Sequence, residues 1–160
     1  MELLDRLLDH DHWATTQLLH LSLELSDGLL DQEFDIGHRT LRETLDHLIF
    51  VIDFWTGWMA GQPVTWEREV HRSIAELIER HERFYATFAS FARRADDEQR
   101  LDDTFVDHFE GQITFGGAVL HVILHNAEHR NEAVHILGRL GPPEVPEVDH
   151  GFWDFERRGD

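Results

Sequence analysis

The chain has 160 residues, with 32 acidic against 14 basic side chains and a formal net charge of -18. So acidic a surface repels phosphate backbones and anionic lipid, which sets aside nucleic acid and membranes as partners. Cysteine is absent, excluding disulfides, thiolate nucleophiles and Cys-ligated metal centres. Lysine is absent too, so no Schiff base can form on a lysine side chain. Any metal must be held by Asp, Glu or the 13 histidines.

The length suits one domain over residues 1–160. No apolar run approaches bilayer length, and the start, MELLDRLLDHDHW, has neither the basic end nor the unbroken apolar stretch of a signal peptide. A soluble cytoplasmic protein is the expectation.

Leu4, Leu7, Leu8, Ala14, Leu18, Leu21 and Leu25 recur at three- and four-residue steps. They predict an amphipathic helix over about 2–25, ended by Ser26-Asp27-Gly28. A second helix is predicted over about 40–60, with Leu41, Leu45, Leu48, Ile52, Trp55 and Met59 on one stripe and Gly61-Gln62-Pro63 as its stop. A third, over about 73–93, turns Leu77, Phe84, Phe88 and Phe91 inward. DTFVDHFEGQITF then alternates apolar and polar residues around Glu110-Gly111, the pattern of a short β-hairpin. The fourth helix opens at Phe115 or Gly116, runs to Leu140 and halts at GPP. The tail 143–160 is expected to be extended because its prolines oppose helix. Its Phe152, Trp153 and Phe155 are expected to dock on the bundle or on a partner chain. Four substantial helices without a real sheet predict an all-α four-helix bundle with a hairpin before the last helix.

HVILHNAEHR places histidines at 121, 125 and 129. Residues four apart share a helix face, the spacing by which one helix offers two metal ligands. At this histidine content roughly one such pair arises by chance, so the spacing decides little. Phase decides more. With about 100° per residue, His129 falls inside the stripe of Ala118, Val122, Ala133, Ile136 and Leu140, and His125 on its edge. His121 turns toward Glu128, Glu132 and His135 on the polar side. Buried imidazoles need partners, and a shared metal ion would satisfy both.

On the second helix His47 borders the core, with Val51, Phe54 and Trp58 on its own side; phase leaves a ligand and a hydrogen-bonded core histidine both open. His10, His12, His20, His71, His81 and His108 lack an equally good inward phase or lie near helix ends and loops, and are expected at the surface. Asp11 falls on the apolar stripe of the first helix, where a carboxylate needs a histidine, an arginine or a metal. It is read as a residue on or behind a metal ion, or as a partner of backbone or arginine.

Three segments in order, DHDHWATTQLL, TLRETLDHLIFVIDFW and HVILHNAEHRNEAVHILGRLG, resemble the DinB-like (DinB/YfiT) superfamily, whose members are read as metalloenzymes. The resemblance spans essentially the whole chain. It rests on a Trp-Ala pair in the first helix, an LRxTLxHL segment in the second, and HxxxHxxxHR followed by an aliphatic run and LG in the last. It implies a four-helix bundle holding a divalent ion, often nickel or zinc, on His47, His125 and His129. His121 matches a frequent extra histidine that is not usually a ligand. The sequence departs from the family in HRNE, where HRGQ is common, and in Asp11, where asparagine is common; both changes add carboxylates near the implied site.

HNAEH also matches H-x-x-E-H, a metallopeptidase motif with Glu128 as the base. Such an enzyme needs a further glutamate ligand on a downstream helix, and only the proline-broken tail with Glu144, Glu147 and Glu156 follows. The expected function is therefore a metal-dependent enzyme acting on small molecules, either thiol S-transferase-like or a hydrolase, as the resemblance implies. Without cysteine, a low-molecular-weight thiol would arrive as cosubstrate, its anionic charge met by a local arginine such as Arg130. The alternative is a non-catalytic metal-binding stress or interaction protein. A homodimer is expected from the family resemblance, from the aromatic tail, and from Trp55, Trp58 and Trp66.

Overall fold

The computed structural model describes residues 2–65, 70–142 and 144–159. Trp66 and Pro143 lie outside them. Four long helices make the bundle: α1 (Leu3–Ser22), α3 (Leu41–Met59), α4 (Ile74–Asp97) and α5 (Phe115–Leu140). A single turn, α2 (Asp27–Leu30), follows α1, and a short α6 (His150–Arg158) ends the chain. The hairpin pairs β1 (Thr104–Val106) with β2 (Gln112–Thr114) antiparallel, Phe105 opposite Ile113. No described helix is long and apolar enough to cross a membrane.

Capping chemistry sets the helix starts. Thr40 accepts from the Glu43 amide at the head of α3, and Thr114 from the Gly117 amide at the head of α5. Ser73 and Glu76 form a reciprocal capping box on α4. Gly141, at φ 75°, closes α5 in the left-handed conformation. Ser26-Asp27-Gly28 does not simply end the first helix: α1 stops at Ser22, and Ser26 caps α2.

The tail also differs from expectation. Residues 144–149 belong to no helix or strand, but α6 follows, capped by the Asp149 side chain on the Phe152 amide. Pro146 precedes that cap, so its missing amide costs the helix nothing. α6 lies on α1 of its own chain, where Arg6 pairs with Asp154 at 2.8 Å and Trp153 is buried beside His10. Phe152 and Phe155 remain exposed.

α3 packs on α4 and α5, and α1 packs on the same two helices. The apolar core has two halves. One gathers Leu8, Ile52, Trp55, Phe88, Phe115 and Val122; the other gathers Leu18, Leu45, Leu48, Leu77, Ile136 and Leu137. Between them in the sequence of α1, α4 and α5 fall buried polar residues: Asp11 and Thr15, His81, and Asn126 and Arg130. His81, expected at the surface, is only 1% exposed. It stands four residues from both Leu77 and Tyr85, on the inward stripe of α4. His10, also expected at the surface, is half-buried beneath the tail, and its Nε2 lies 2.9 Å from the Val148 carbonyl.

Candidate metal centre

α5 delivers His125 and His129 one turn apart, and α3 brings His47 against both. The His47 ring lies 5.1 Å from that of His125 and 4.7 Å from that of His129, centroid to centroid. The Nε2 atoms of His125 and His129 are 3.3 Å apart. Two nitrogens on one tetrahedral ion at 2.0–2.1 Å would stand about 3.3 Å apart. The spacing needed by a shared ion is therefore already present on α5.

A fourth imidazole joins them. His38, on the loop between α2 and α3, lies 3.9 Å from the His47 ring and 5.0 Å from the His129 ring. His38, His47 and His129 each offer a ligand atom within 4.8 Å of the others. His38 has no place in the helical phases. It is carried on a loop turn in which Gly37 and Arg39 both have positive φ, 46° and 72°. A side chain at Gly37 would be strained by that positive φ, and its Cβ would displace the Glu132 carboxylate.

Burial, then the neighbouring His38, His129 and His125, push the His47 imidazole down to about 3. Burial and then His129 lower His125 to about 4. His38 is lowered too, again chiefly by burial. Neutral imidazole is the ligating form. Nδ1 of His129 lies 2.6 Å from Glu132 Oε2, and the Nδ1 of His125 is buried without a hydrogen-bond partner.

The other sequence-derived residues are placed differently. His121 is at its rim, its ring 5.3 Å from that of His125 and 4.9 Å from Trp55. Ring contacts continue from Trp55 to His108 and Phe54. Asp11 is fully buried, accepting from Arg130 Nη1 and, at 3.1 Å, from Asn126 Nδ2. Of the partners foreseen for it, the structure supplies the arginine. Arg130 also donates to Thr15 at 3.2 Å and is 3% exposed. Its charge is spent on Asp11 inside the core, so it does not present a free guanidinium to an anionic thiol. This corrects the cosubstrate role expected of it.

No curated protein matches the sequence. A family model described as the DinB superfamily matches residues 10–133, a span that takes in Asp11, all four clustered histidines and the Arg130 anchor. The chain belongs to the DinB superfamily.

Proposed function

We propose that the protein is a divalent-metal-dependent enzyme acting on small molecules, with His47, His125 and His129 as ligands and His38 as a fourth nitrogen from the loop. The observation that carries this reading is the convergence of four imidazoles from three elements, two of them already at shared-ion spacing. Nitrogen-only donors suit zinc or nickel better than magnesium or calcium. Bound there, such an ion would supply Lewis acidity and lower the pKa of a water or thiol. The protein's own part is to keep the imidazoles neutral, to orient His129 through Glu132, and to brace α1 against α5 through Asp11 and Arg130. His38 alone rides on a loop, so a coordination position opens if it withdraws, without a helix moving.

Two reactions fit such a position: transfer of a low-molecular-weight thiol to an electrophile, and hydrolysis. The ring wall of His121, Trp55, His108 and Phe54 favours a substrate with an apolar or aromatic part. Metal-loaded protein should consume glutathione, mycothiol or bacillithiol with a model electrophile, or hydrolyse an aryl ester, and should lose that activity on chelation. Silence across both panels from fully loaded protein would favour the non-catalytic metal-binding reading. We further propose a homodimer. Leu120 and Leu124, one turn apart on α5, are 49% and 61% exposed, which is apolar surface that a second chain would cover.

A further inference from the structure

On another side of the bundle, where α1 meets α4, a second set of donors converges. His12, His81 and Glu82 each offer one ligand atom, all within 4.8 Å of one another. Nε2 of His12 lies 3.2 Å from Glu82 Oε1. The His81 ring stacks on that of His12, centroids 4.9 Å apart and planes inclined by 10°. His81 is 1% exposed, yet its Nε2 has no hydrogen-bond partner.

We propose that His12, His81 and Glu82 form a second cation site, taking zinc or a similar borderline divalent ion. A buried imidazole nitrogen without a partner is costly to keep. The His12–Glu82 contact does nothing for it, and the nearby Asp11 and Arg130 are committed to each other. An ion shared by the three residues satisfies all of them at once. Two imidazoles and one carboxylate are a donor set that zinc accepts, with room for water in a remaining position. The site borders a cleft of 290 Å³ lined by Asp9, His12, Glu82, Tyr85 and Arg93, which gives an ion its path in. The positive charge at that mouth is offset, since Arg93 pairs with Asp5 at 2.8 Å and with Asp9 at 2.9 Å. Drawing the three atoms to coordination distance needs only side-chain movement, and Glu82 and His12 are exposed enough to make it, at 54% and 33% of their side-chain surface.

The test is a zinc titration of full-length, chelator-stripped protein against a chromophoric competitor. Wild type should bind two equivalents. His12→Ala and Glu82→Gln should each lose or weaken one by at least tenfold and keep the other; His47→Ala should do the same for the opposite site. Both exposed-side variants spare the core, so a folding failure of His81→Leu would not decide the matter. One equivalent in wild type, abolished by His47→Ala and untouched by His12→Ala, overturns this site and leaves the α3–α5 centre standing. One equivalent abolished by His12→Ala and untouched by His47→Ala does the reverse. Two equivalents untouched by His12→Ala and Glu82→Gln, or none at all, overturn it as well.

Discussion

Glu132 Oε2 stands 2.6 Å from Nδ1 of His129, and this contact determines which face of that imidazole is available. A carboxylate accepts, so Nδ1 carries the hydrogen and Nε2 presents its lone pair toward His125. Glu132→Gln should therefore weaken metal binding by about 10–100-fold while leaving the fold intact. Competition with a chelator of known affinity measures it; an unchanged affinity would remove Glu132 from the site.

His47→Ala, His125→Ala and His129→Ala should each lose the equivalent of metal held between α3 and α5 in elemental analysis, and His121→Ala should keep it. His38→Ala should retain the ion with reduced affinity, since three nitrogens remain. Binding of one ion at 100 times its dissociation constant adds about 2.7 kcal/mol to stability, so chelation should lower the melting temperature of wild type by more than that of His47→Ala, which keeps only the ion at His12, His81 and Glu82. If His47→Ala binds as wild type does while His121→Ala does not, the ligand set is wrong.

The Asp11–Arg130 pair makes a separate claim about stability. Removing one member leaves a buried charge uncompensated, a loss of about 3–5 kcal/mol. Asp11→Ala and Arg130→Ala should each approach that loss in urea unfolding. The double change Asp11→Leu with Arg130→Met should recover most of it, because apolar residues of similar volume can replace a buried pair. A double variant no better than the worse single would show that the pair contributes more than mutual charge balance.

Acid should destabilise the metal-free protein through His81. Burial, then the charges of His12 and Arg130, hold its imidazole down to about 3 in the folded chain, against an ordinary value of 6.5. The unfolded chain takes up this proton first, so stability is full above about pH 6.5 and declines as pH falls from there toward 3. By pH 5 this residue alone accounts for about 2 kcal/mol. Unfolding free energies at pH 7.5 and pH 5 should differ by at least that in wild type, and by less in His81→Leu. Equal slopes in the two proteins would contradict the assignment.

Light scattering at micromolar concentration should report a dimer, and Leu124→Glu should shift it toward monomer. Deleting the residues after Pro146 should act mainly by exposing α1, given the hold of Arg6 on Asp154. A wild-type monomer would end the dimer proposal.

Phase along a helix turned His125 and His129 toward the core but left His47 open, and its reach marks where the sequence stopped being informative. His129 lies on the apolar stripe of α5, His125 on its edge and His47 at the border of the core on α3, and the packing of α3 on α5 draws their rings together. His38 sits on a loop whose course depends on Gly37 and Arg39 in the left-handed region, and periodicity carries no information there. Asp11 advertised its need for a partner, but only the approach of α1 to α5 could show that the partner is Arg130. His81 was legible and misread: its four-residue spacing to Leu77 and Tyr85 put it on the buried stripe, against the common preference of histidine for the surface. The tail shows how local the rule on proline is, since a helix forms freely once a cap such as Asp149 follows the last one.

Arg130 and Asp11 lie 119 positions apart, and the clustered histidines are divided between the first third of the chain and α5. During synthesis, a growing chain that has not yet produced α5 holds only His38 and His47 of the cluster, too few to retain an ion. Loading of this cluster would therefore follow the late, long-range closure of α5 onto α1 and α3, the kind of contact that slows folding. For an ion at this cluster the order of events is built into the topology: α5 must close first, whereas His12, His81 and Glu82 are all made before it.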